Sequence, residues 1–65
     1  MSNLKEIRIK TNISQAGLAE ASGVNIRMIQ HYEQGVKDIN KAQAETVYKL
    51  AQALNCNIED LIETT

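Results

Sequence analysis

Along this chain apolar residues recur three and four positions apart, and each run is bracketed by Asn, Ser or Gly, the pattern of short amphipathic helices between tight turns. There is no proline and no alternating stretch that would speak for a strand, so five helices are predicted. The first opens at Asn3, whose side chain is placed to cap free amides while Glu6 reaches back, with Leu4 and Ile7 facing inward. It stops near Asn12, because Asn tolerates left-handed backbone. Ser14 caps the second helix, which turns Leu18 and Ala19 inward and breaks at Ser22-Gly23. Asn25 caps the third, where Ile29 and Tyr32 with Met28 form the buried stripe and Gly35, after Gln34, gives a left-handed exit. A polar loop, Val36 to Ile39, leads to a second capping box made by Asn40 and Gln43. Val47, Leu50, Ala51 and Leu54 then follow the i, i+3, i+4, i+7 spacing of a helix with one apolar face, ended by Asn55. Asn57 caps a last short helix bearing Ile58, Leu61 and Ile62.

Sixty-five residues, 43% hydrophobic and 23% charged, are enough for one small all-α domain and too few for most enzymes. No apolar run approaches the roughly 18 residues of a membrane span and no leader is recognisable, so the expected location is the cytosol. One Cys and one His make neither an intrachain disulfide nor a zinc set, so no metal or cofactor is expected and stability must come from packing and self-association. Cys56 reads as a small core residue, with a redox switch as the alternative. His31 has neither an acid–base partner nearby nor a nucleophile at triad spacing, so no catalytic role is assigned to it. Tyr48 lies off the apolar stripe and reads as a core-rim or interface residue. The net charge of −1 argues by itself against a strongly basic nucleic-acid binder. Its distribution changes that picture. Residues 1–54 hold all seven bases against five acids, whereas residues 55–65 hold only Glu59, Asp60 and Glu63, so a polyanion should meet the body of the domain and not its end.

Two short helices joined by three or four residues with a glycine in the turn form the unit that presents its second helix to a DNA major groove. Residues 14–34 have that layout, with a small Ala19 at the helix crossing, Gly23 in the turn, and Leu18, Val24, Ile29 and Tyr32 to lock the pair together. Here the sequence resembles the lambda repressor and Cro type helix-turn-helix family, the XRE family, over nearly its whole length. The resemblance rests on Arg8, Ser14-Gln15, Leu18-Ala19, Gly23-Val24, the run Ile29-Gln30-His31-Tyr32-Glu33-Gln34-Gly35, and the trailing segment Lys49 to Leu61, which looks like the family's fourth and fifth helices. It implies a phosphate or base contact at Gln15 and a partly buried ion pair between Arg8 and Glu33. Four departures stand out. Asn12 and Asn55 replace frequent glycines, Gly17 replaces a helix former, and Ile26 is apolar at a position that is polar and base-contacting in several phage repressors.

With Asn25 as cap, the outward positions of the third helix are Asn25, Ile26, Arg27, Gln30, His31 and Gln34, the candidate readers of DNA. Arg27 suits guanine O6 and N7 or a phosphate, Gln30 suits adenine, His31 can donate to an acceptor, and Ile26 can pack on a thymine methyl. The plain alternative is a solvated polar face. Gln15, Gln34, Lys37, Asn40 and Lys41 are the candidate phosphate contacts, with ordinary surface charge as the alternative for the lysines. The function this implies is that of a sequence-specific, double-stranded-DNA-binding regulator, a repressor in the first instance. It would act as a homodimer on a palindromic operator with half-sites about 34 Å apart, paired through Ile58 and Ile62. A different class stays open: a protein-interaction module, such as an antitoxin or anti-repressor partner, in which DNA contact is secondary.

Overall fold

The computed structural model describes residues 3–62. Its five α-helices are α1 (Asn3–Lys10), α2 (Gln15–Ser22), α3 (Ile26–Gln34), α4 (Ala44–Ala53) and α5 (Ile58–Leu61), with one turn of 3₁₀-helix at Ile39–Lys41, and no strand occurs among the described residues. The helix ends follow the local chemistry. Ser14 Oγ accepts from the Gly17 amide at 2.9 Å, Asn25 Oδ1 accepts from the Arg27 amide at 2.8 Å, and Asp60 Oδ2 accepts from the Asn57 amide at 3.0 Å. Asn12 (φ 59°) and Asn55 (φ 54°) adopt left-handed backbone, which a short polar side chain bears at modest cost.

Two expected starts are corrected. Asn3 is the first residue of α1 and not the cap before it. The expected capping box of Asn40 and Gln43 does not start α4; the helix begins at Ala44 with Gln43 as its cap residue, and Gln43 makes no capping side-chain bond. Asp38 caps the preceding 3₁₀ turn instead, its Oδ1 accepting from the Asn40 amide at 2.9 Å. The cause is Ile39. It is not part of a polar loop but a buried core residue, so the chain must dive inward there, and the short turn delays α4.

Each α-helix contributes one fully buried residue to a common core: Leu4, Leu18, Ile29, Leu50 and Leu61. Val24, Tyr32, Ile39, Val47, Ala51 and Leu54 complete the buried set, with Cys56 and Ile62 partly buried against it. α2 packs on α3 and α4, α1 on α3 and α5, and α5 on α4, so α3 is braced by two helices and keeps its other side for solvent. At Gly17 a Cβ would lie 3.0 Å from Ile13 Cγ1 and 3.1 Å from the capping Ser14 Oγ, a tight fit in which those side chains would have to shift by a few tenths of an ångström. Glu63, the last acid of the tail, lies outside the described residues. Leu50→Ala is expected to cost about 2–5 kcal/mol of stability in urea melts followed by circular dichroism. Tyr48→Ala, at a half-exposed ring, should stay within about 0.5 kcal/mol of the parent.

Candidate nucleic-acid interface

The turn between α2 and α3 is built from three residues with separate tasks. Gly23 takes φ 74°, and its amide returns to the Ala19 carbonyl at 2.9 Å, closing α2. Val24 is buried and pins the turn to the core, while its amide donates to Ser22 Oγ at 3.1 Å. Asn25 then caps α3. A side chain at position 23 would meet no neighbour, so the demand for glycine is conformational and not steric.

On α3 the predicted stripe is buried as expected at Ile29 and Tyr32, with Met28 partly buried beside it. Asn25, Ile26, Arg27 and Gln34 are exposed, whereas Gln30 and His31 sit lower and are half-buried. His31 is further constrained. Its Nδ1 is shut away from solvent without a hydrogen-bond partner, and its carbonyl accepts from the amides of Val36 at 2.9 Å and Lys37 at 3.2 Å, fixing the loop that leaves the helix. Lys37 folds back along α3, its Nζ 3.6 Å from Met28 Sδ. Asn40 and Lys41 are exposed on the 3₁₀ turn and not at the start of α4. Arg27 on α3 and Lys37 and Lys41 on the segment after it are all exposed. Lys49, in contrast, is paired along α4 with Glu45 at 3.1 Å, a solvated pair of small worth.

A part-buried polar network ties α1, α2 and α3 together. Arg8 Nε donates to Glu33 Oε2 at 2.7 Å and Nη2 to Glu33 Oε1 at 3.0 Å, a two-point fit between guanidinium and carboxylate. Arg8 Nη1 donates to the Ile13 carbonyl at 3.0 Å, tying in the loop before α2. Gln15 Nε2 donates to the same Glu33 Oε1 at 3.1 Å. The side chains are 13% and 3% exposed at Arg8 and Glu33, so this is not a surface pair. Three elements therefore meet on one carboxylate: α1 through Arg8, the first residue of α2 through Gln15, and the end of α3 through Glu33 itself. The Arg8 pKa is raised by its hydrogen bonds to Glu33, opposed by desolvation and helped by the opposite charge. A raised basic pKa stabilises the fold fully below the ordinary arginine range and loses that effect only in stronger alkali, so Arg8 gives no pH switch near neutrality.

Nothing in the sequence foretold the Gln15 to Glu33 bond or the packing of Lys37 on Met28, since both join residues on different elements. Asp38 as a cap was more legible, for Asp-x-Asn is a turn signal. Of the expected pairing residues, Ile58 is exposed at the start of α5 and Ile62 is partly buried against its own core, while Leu61 between them is fully buried. Burial, aided by Asp60, pushes the Cys56 thiol pKa up, which disfavours the reactive thiolate. No group of metal-binding side chains occurs among the described residues, and no described helix is long and apolar enough to cross a membrane.

A capped pair of short helices with a left-handed glycine between them, the second helix exposed along one side and anchored at its end by an ion pair, defines a helix-turn-helix DNA-binding domain. The family profile for this class, Helix-turn-helix, matches residues 4–61, and the chain belongs to the lambda repressor and Cro type helix-turn-helix family. It is a family of DNA-binding regulators and not typically of enzymes. No curated protein matches the chain closely enough to count as a relative. Glu33→Ala is expected to cost about 3 kcal/mol, because it strands the Arg8 charge, and to weaken DNA binding as well. Thermal melting and duplex titration check this together, and unchanged values in both would remove Glu33 from its place in the architecture.

Proposed function

We propose that the chain is a single domain that acts in the cytosol as a homodimeric, sequence-specific regulator of transcription, with α3 entering the major groove. The observation that carries this reading is the exposed run of Asn25, Ile26 and Arg27 at the start of α3, the end that approaches base edges in this motif. Arg27 is the guanine reader or a phosphate clamp, and Ile26 packs on a thymine methyl. Gln30 and His31 contribute from their half-buried positions. Lys37, Asn40, Lys41, Gln34 and Gln15 hold the backbone, the last beside the free amides that open α2. Few cations face the groove, so useful affinity calls for two copies on a two-fold site, with Ile58 and Ile62 at the contact between them. Occupying an operator is enough to repress, which makes repression the simplest outcome.

A second reading, a module that binds another protein, draws on the acidic, partly apolar α5, where Ile58 is exposed beside Glu59 and Asp60. Selection of bound duplexes from a randomised pool at about 0.1 M salt separates the two. An enriched palindrome is expected, with Arg27→Ala and Gln30→Ala relaxing its preference at particular positions. For about six phosphate contacts per dimer, log K against log salt should fall with a slope of about −5. No enrichment and a flat salt response would leave the protein-binding module as the better account.

A further inference from the structure

Glu33 has one more partner than an ion pair with Arg8 requires. Its Oε1 accepts from Arg8 Nη2 at 3.0 Å and from Gln15 Nε2 at 3.1 Å, and its side chain is 3% exposed. A carboxylate only accepts, so it dictates which end of the Gln15 amide faces it: the nitrogen must, and the carbonyl cannot. A free glutamine has no such preference, since its two ends differ little in shape and turn over readily. The amide nitrogen has two hydrogens. With one committed to Glu33, the other remains on an amide whose plane is held from behind, at the residue that opens α2.

From this geometry we propose that Glu33 is a positioning residue for DNA binding: it orients the Gln15 amide so that the second N–H is offered to a phosphate oxygen of the backbone. The inference rests on the DNA-binding reading above and adds to it a dependence of one contact on a residue that does not touch DNA. A phosphate oxygen needs a donor, and a Gln15 amide turned the other way would present its carbonyl to that oxygen and repel it. In this arrangement the buried pair does more than join α1 to α3. It also sets the polarity of the first side chain of α2.

The coupling is measured by a double-mutant cycle on duplex affinity with Gln15→Ala, Glu33→Gln and both together, each shown by circular dichroism to be folded at the temperature used. Glu33→Gln keeps the shape of the side chain but replaces the carboxylate with an amide that can face Gln15 either way. Gln15→Ala should weaken binding about tenfold in the parent and less than about threefold in the Glu33→Gln background. The salt slope should not change on Gln15→Ala, because a neutral amide displaces no counterion. An equal loss in both backgrounds overturns the positioning role, while no binding by the parent overturns the DNA reading and this role with it. In the free parent protein, ¹⁵N relaxation should show the Gln15 side-chain amide held rigid, in contrast to the exposed Gln43, and equal mobility of the two would overturn the proposal without reference to DNA.

Discussion

The carboxylate of Glu33 sits at the end of α3 almost wholly out of water, and its oxygens are taken up by Arg8 and Gln15. Desolvating a charge is costly, and an ion pair in such a place adds little net stability compared with apolar packing of the same volume. What it adds is geometry. The guanidinium meets the carboxylate through two hydrogen bonds from its Nε and Nη2 edge, and its Nη1 donates to the Ile13 carbonyl, so α1, the loop into α2 and the end of α3 come together at one point. The apolar core alone would not fix that point, because leucines and isoleucines tolerate sliding in a way that a two-point hydrogen-bonded pair does not. A helix that must enter a groove at a set angle has more use for such a fixture than for another fraction of a kcal/mol.

The core is arranged to the same end. One fully buried side chain comes from each α-helix, so no helix docks by itself and the orientation of α3 depends on all of them. α3 gives Ile29 and Tyr32 to this core and leaves Arg27, Ile26 and Gln34 outside. The turn before it is short because Gly23 supplies the left-handed step and Val24 is driven inward immediately afterwards. A longer or polar turn would let α3 swing relative to α2. Here the hydrophobic effect acts on a hinge residue, and the result is a rigid pair of helices.

Much of this was legible along the chain because it is local. Caps such as Ser14 and Asn25, left-handed exits at Asn12, Gly23, Gly35 and Asn55, and the stripe Val47, Leu50, Ala51, Leu54 depend on residues within a turn or two of one another. The segment after α3 was misread for a physical reason. Val36 and Ile39 look alike in sequence, yet Val36 is exposed and Ile39 is buried, and only the shape of the core below them decides which goes in. Once Ile39 goes in, Asp38 becomes the cap and Asn40 is moved from a helix start to a 3₁₀ turn. The polar network was legible in part. A pair between Arg8 and Glu33 was expected through the family resemblance, but the share of Gln15 in it, 18 residues away along the chain, is a product of the fold.

The electrostatics explain why so much depends on geometry. A chain with net charge −1 cannot rely on a broad positive field to hold a polyanion, and among its cations Arg8 is committed to Glu33 while Lys49 is paired with Glu45. The acids Glu59 and Asp60 lie on α5, whose main packing is against α1 and α4. When few charges are available for counterion release, each remaining contact must be well aimed to count, since a neutral hydrogen bond to a phosphate is worth making only if its donor is already in place. Pre-arranged donors lower the entropic cost of binding without adding charge. A side chain such as Gln15, held from behind by a buried carboxylate, is one way for a small, nearly neutral helix-turn-helix domain to make up in placement what it lacks in charge.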